Sequence, residues 1–384
     1  MPVLRQVTTR SLALASAAVL VAGCTGSSSG AVQPATSTPG TATAPTAGAF
    51  GVEYENTGVG PMVAPTIPST PSVPTDMGSK AGNVRTFTLT ASQLTQQIAN
   101  FPLKTATVWG YNGSTPGPTL IAFAGEQIKV IVHNELPEPT TVHFHGLHQP
   151  NADDGVAGIS QPTPIAVGAS YTYGPFPPGH IGTFAYHSHF DGAVQDDRGL
   201  DGALIVLPTE EHQSVRAAVD VMMTLQQFDP PGEGGLVKPF GENGQFPFST
   251  INGKTGDASG GPITIHQGDL VRVRIYNASN MVHSMHLHGH DVILVDKNGH
   301  AVPQERETTT TVAPGDFATI QFTADNPGNW VFHCHFPHHT ANKMMAGYNG
   351  APVGMLRIFH YNTAPAVPAA YFSSAHYASP TAMK

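Results

Sequence analysis

Four His-x-His units mark this chain: His143/His145, His187/His189, His286/His288 and His333/His335. In an extended segment, residues i and i+2 project to the same side, so each unit aims two imidazoles at one place. A single unit is weak evidence, because a solvated His-x-His arises readily by chance. Eight convergent imidazoles are another matter; they suit several ions of copper, zinc or iron. Cys334 lies between His333 and His335, so its thiol points away from both rings. His283, His339 and Met344 stand at short spacing around these units. One thiolate, two imidazoles and a thioether form the ligand set of a blue-copper electron-transfer centre.

The units belong to an internal repeat. Gly125-Glu126, a strand pattern through Val132, Asn134 and His143-x-His145-Gly146 match Gly268-Asp269, a strand pattern through Ile275, Asn277 and His286-x-His288-Gly289, each pair 143 residues apart. Pro178-Gly179 leads to Tyr186-His187-Ser188-His189-Phe190, as Pro327-Gly328 leads to Phe332-His333-Cys334-His335-Phe336. The thiolate centre is confined to the second copy. Thr140, Ser188, Ala193 and Arg198 stand where His283, Cys334, His339 and Met344 would be, and none of them is a soft ligand.

The elements that must position these groups read as strands. Leu270-Val271-Arg272-Val273-Arg274-Ile275 alternates, which predicts apolar residues inward and charged residues outward. Turn signals such as Asn112-Gly113, Asn252-Gly253 and Asn298-Gly299 separate the runs. No long 3.6-residue period competes, so tandem β-sandwiches are expected, with a boundary near 208–220. Trp109 and Trp330 are expected in their cores. The chain has 384 residues, of which 11% are charged, and a net charge of −9. That acidic balance, without a Lys/Arg cluster, argues against nucleic acid as a partner.

The motifs His-Phe-His-Gly, Tyr-His-Ser-His, His-Ser-Met-His-Leu-His-Gly and His-Cys-His-x-x-x-His-x-x-x-x-Met resemble the four copper motifs of multicopper oxidases, the laccase family. The likeness covers about residues 84 to 360. It implies an all-β chain of two tandem cupredoxin-like Greek-key sandwiches and four copper ions per chain. Carried over by motif, type 1 copper takes His283, Cys334, His339 and axial Met344. Type 2 copper takes His143 and His286. The type 3 pair takes His145, His187 and His335 on one ion and His189, His288 and His333 on the other. The implied reaction draws single electrons from a phenol, an aromatic amine or a metal ion and reduces O2 to water. Asp154, in Asp153-Asp154-Gly155, matches an acidic proton-relay position of similar oxidases. Two copies with type 1 copper in the second resemble two-domain laccases, and this implies a homotrimer with clusters shared between subunits. Copper nitrite reductases also have two cupredoxin domains, but their type 1 site belongs in the first.

The first 23 residues are expected to be a signal peptide of lipoprotein type. A short apolar run, Leu12 to Ala22, follows Arg5 and Arg10 and ends just before Cys24. Lipid on Cys24 would anchor the exported protein to the membrane. Residues 24–80, rich in Ser, Thr, Pro and Gly, are expected to be a disordered tether. The two domains are expected at 81–210 and 211–365, with a tail at 366–384.

Overall fold

The strand Gln127–Asn134 alternates half-buried and buried residues, with Ile128, Val130 and Val132 facing a core. This is the period-2 signature of a sheet with one covered face. The computed structural model describes residues 57–100, 103–239, 248–256, 258–341 and 354–368, and in it Asp201–Leu207, Val219–Phe228 and Leu270–Asn277 are instead buried on both faces. The protein is all-β. In the first sandwich, Val84–Gln97 runs parallel to Gln127–Asn134, which pairs antiparallel with Ser170–Phe176. The facing sheet has the order Thr75–Asp76, Gly117–Phe123, Asp201–Leu207, Gly182–His187, His143–His145. Phe87, Leu89, Val130 and Val132 meet Phe144, Phe184, Tyr186, Leu204 and Val206 between these sheets. Trp109 is buried in this core, whereas Trp330 packs half-buried at the edge of the second.

The second sandwich repeats the plan. Val219–Phe228 runs parallel to Leu270–Asn277, which pairs antiparallel with Phe317–Thr323. In the facing sheet, Ile263–Ile265 lies parallel to Leu356–Tyr361, followed by Asn329–Cys334 and His283–Leu287. The register repeats as well. His143 stands opposite His187 in the first copy, and His286 opposite His333 in the second. The sequence repeat is thus a repeat of strand pairing.

Two sequence expectations change. Arg272 and Arg274 do not face water; they are 1% and 0% exposed. The outer face of their sheet is covered by the first sandwich and by the segment joining the two. Arg272 and Arg274 converge on Asp220 at 2.9–3.1 Å, and Arg274 Nη1 donates to Thr183 Oγ1 of the first sandwich at 3.2 Å. Ile205, Leu207, Met222, Tyr276 and Phe317 form an apolar layer at the same boundary.

The expected tether also shortens. Residues 57–80 lie against the body: Met62–Val63 pairs with Glu211–His212, Thr75–Asp76 with Gly117–Phe123, and Ser69 N donates to Asp220 O at 2.9 Å. This stretch needs no core of its own, because it borrows backbone partners from both sandwiches. Residues 24–56, with Cys24, lie outside the described residues, as do the signal peptide and most of the tail.

Candidate metal centre

Three donors gather in the second sandwich. His283 opens one strand, Cys334 closes its antiparallel neighbour, and His339 sits on the short helix Pro337–Ala341 that follows. All three are buried. His283 Nδ1 and His339 Nδ1 are 3.1 Å apart, and Cys334 Sγ lies 3.6 and 3.5 Å from them. The centre of that triangle is about 2 Å from each corner, the length of a metal–imidazole bond. His283 Nε2 donates to Ser279 Oγ at 2.7 Å, and Ser279 in turn donates to Asn277 Oδ1. The tautomer is thereby set with Nδ1 presenting its lone pair. Burial, and then His339, push His283 down to about 3; burial, and then His338, push His339 to about 4. Both rings are neutral and ready to ligate at pH 7. Burial pushes the Cys334 thiol up, so its thiolate calls for a cation at close range.

Motif spacing assigns the axial donor to Met344, which lies outside the described residues. A different methionine stands beside Cys334. His333 pairs with Leu356, so Met355 comes directly opposite Cys334. Cys334 N donates to Met355 O at 3.1 Å, and Met355 N to His339 O at 3.0 Å. Opposed residues on paired strands share a face, and Met355 is fully buried in the core that holds Cys334.

The first sandwich closes the corresponding place with hydrogen bonds. Gln195 Oε1 accepts from Thr140 Oγ1 at 2.8 Å and Ser188 Oγ at 2.5 Å, and Gln195 Nε2 donates to Glu138 and Pro139. A fully buried amide thus bridges Thr140 and Ser188, the positions that align with His283 and Cys334. The absence of soft ligands expected there is matched by a polar plug.

The remaining histidines form two quartets. In the first sandwich, the rings of His143, His145, His187 and His189 lie 5.4–6.3 Å apart. Donor atoms of His143, His145 and His187 come within 4.8 Å of one another. In the second, His286, His288, His333 and His335 lie 4.9–5.8 Å apart, with His288 Nε2 and His333 Nε2 at 3.0 Å. The residues between the pairs, Phe144, Ser188, Leu287 and Cys334, turn into the cores as the period-2 argument requires. Among the described residues, no ring contact joins the two quartets, although His145 packs edge-on against Phe317 of the second sandwich at 5.4 Å.

Backbone carbonyls aim these rings. Nδ1–H donates to Asp154 O from His143, to Ser188 O from His187, to Thr308 O from His286 and to Cys334 O from His333, at 2.5–2.8 Å. Each leaves Nε2 for a metal. Carboxylates add to two of them. Asp154 Oδ1 lies 3.2 Å from His143 Nδ1, and Asp196 Oδ2 lies 3.1 Å from His187 Nδ1. Gly155, at φ +81°, lets the Asp154 loop close on the His143 strand, since a Cβ there would meet Val142 O at 2.0 Å. Asp196 carries no signal in the sequence, having no counterpart in the other copy. Burial pushes His187 down, but Asp196 outweighs it and holds the ring above its ordinary value. Burial, and then His187, push His145 down to about 4.

Comparison with known proteins agrees with this geometry. Two family profiles, both described as multicopper oxidase, match residues 93–211 and 230–352. A solved multicopper oxidase, mgLAC, is 30% identical with a TM-score of 0.64, covering 76% of this chain and 94% of its own. A blue copper oxidase from Nitrosomonas europaea is 26% identical with a TM-score of 0.63, covering 77% of this chain and 95% of its own. Laccase-2 of Podospora anserina is 28% identical over 74% of this chain and 46% of the laccase. The chain spans less than half the length of the curated relatives it matches first.

Proposed function

Since the chain belongs to the multicopper oxidase family, we propose that it couples one-electron oxidation of a phenol, an aromatic amine or a metal ion to the reduction of O2 to water. The observation that carries this reading is the position of Cys334. Its sulfur closes a triangle with two imidazole nitrogens, while its neighbours His333 and His335 belong to a histidine quartet. The donor set fits copper, since thiolate with two imidazoles and a thioether is a blue-copper set and clustered imidazoles suit the rest. His283, Cys334 and His339 would hold type 1 copper, with Met344 as axial thioether donor. His143 and His286 would hold type 2 copper. His145, His187 and His335, with His189, His288 and His333, would hold the type 3 pair, giving four copper ions per chain. When bound, copper supplies electron uptake at the first site and electron delivery to O2 at the cluster.

The chain's own residues do the rest. Peptide bonds tie Cys334 to His333 and His335, a covalent path between the two centres. Asp154 stands beside His143, its Oδ1 accepting from Gln149 Nε2 at 3.0 Å, and its partial exposure lets it relay protons from solvent. Among the described residues of one chain no ring contact joins the two quartets. We therefore propose that each cluster forms between the first domain of one subunit and the second of its neighbour. Three copies in a ring of heterologous contacts would close all the sites. We place the body outside the cell membrane, anchored by lipid on Cys24; a mature N-terminal peptide without lipid would count against the anchor.

Oxygen uptake with phenols, Mn(II), Fe(II) and Cu(I) tests the reaction. Copper-loaded protein is expected to consume O2 with at least one of them, and Cys334→Ser to lose both the blue band and uptake. Undiminished uptake in that variant would overturn the reading.

A further inference from the structure

Three histidines outside the twelve assigned ligands meet where the two sandwiches join. His180 follows the Pro178-Gly179 turn of the first sandwich, His148 follows its first His-x-His unit, and His300 begins a strand of the second. The His180 ring stacks on His300 with centroids 5.0 Å apart and 13° between planes. His148 approaches at 5.4 Å, and Phe184 packs edge-on at 4.9 Å. The approach is specific to the backbone: a Cβ at Gly299 would stand 2.8 Å from His180 Nε2.

His180 is only 5% exposed, yet both its ring nitrogens are buried without a hydrogen-bond partner. Leaving such groups unserved is unfavourable, and native structures rarely do so without a ligand or water. The charges that face the ring are two further imidazoles, His300 and His148. Burial first, and then those rings, push His180 down to about 4, so a proton does not meet its needs. An electron-pair acceptor does. His148 and His300 are exposed, so their rings can turn to bring nitrogens onto an ion held by His180.

We propose that His148, His180 and His300 form a separate site for a borderline divalent d-block cation, of the Zn(II) or Cu(II) class, that clasps the first sandwich to the second. Three imidazoles with an open position to solvent suit such an ion. The site uses none of the residues assigned to the copper centres, so it stands or falls apart from the oxidase reading. An ion bound only by the folded pair of domains also raises the melting temperature as its occupancy rises.

The test titrates zinc chloride alone into copper-loaded enzyme, with equilibrium dialysis and metal analysis. One zinc per chain beyond the copper is expected for the natural protein. His180→Phe, which keeps ring volume against Phe184, is expected to lose that ion, and His300→Ala to bind it at least ten-fold more weakly. Copper content and the blue band are expected to match in all three. X-ray absorption on the zinc is expected to show imidazole nitrogens at about 2.0–2.1 Å. No additional zinc, or equal zinc uptake in the natural protein and His300→Ala, would overturn the proposal. Because His300 is exposed, its variant decides the matter even if His180→Phe does not fold.

Discussion

At Cys334, two neighbouring chain segments bring methionines alongside: Met355 on one, Met285 on the other. Met355 also shares a backbone hydrogen bond with His339, which ties it to two corners of the donor triangle. Met344→Leu is expected to raise the type 1 reduction potential, because an axial thioether favours the oxidised ion. Met355→Leu is expected to leave it unchanged. Redox titration of the blue band decides between them, and a shift only in Met355→Leu would move the role to the methionine beside Cys334. Asp154→Asn keeps the hydrogen-bond shape at His143 but cannot carry a proton. It is expected to retain copper and to slow O2 turnover about 10²-fold; an unchanged pH–rate profile would remove Asp154 from the reaction. The i and i+2 geometry made the paired histidines legible in the sequence, because strand alternation fixes their direction. Asp196 and Gln195 were not legible, because each acts through a neighbour that only folding supplies.

Among the elements, Leu270–Asn277 teaches most. Its alternation identified a strand, but not what covers its charged face. Arg272 and Arg274 are buried there against Asp220 and Thr183, so two guanidiniums share Asp220 at the domain boundary, with Glu211 Oε2 a further 3.6 Å from Arg272. Removing one partner of a buried pair strands the other charge. Asp220→Ala is expected to cost about 3–5 kcal/mol of unfolding free energy. Chemical denaturation checks this, and a loss below about 1 kcal/mol would show that water relieves the arginines. Residues 57–80 carry the same lesson. Their composition lacks a core of its own, yet backbone pairing to both sandwiches orders them. Composition reports what a segment can bury by itself, not what it can borrow.

On the scale of the whole molecule, duplication followed by divergence divides the labour. Both copies keep a histidine quartet in the same strand register. Only the second keeps a thiolate centre, while Gln195 fills its place in the first. In the proposed assignment each quartet supplies half a cluster, and among the described residues no ring contact joins the two. The most direct measurement is copper content and absorption across size-separated fractions of the copper-loaded protein. A trimer with four coppers per chain, a blue thiolate band and a near-ultraviolet shoulder from paired ions is predicted. A monomer that holds all four coppers and turns over O2 would contradict the shared cluster, and a colourless protein at any size would contradict the oxidase itself.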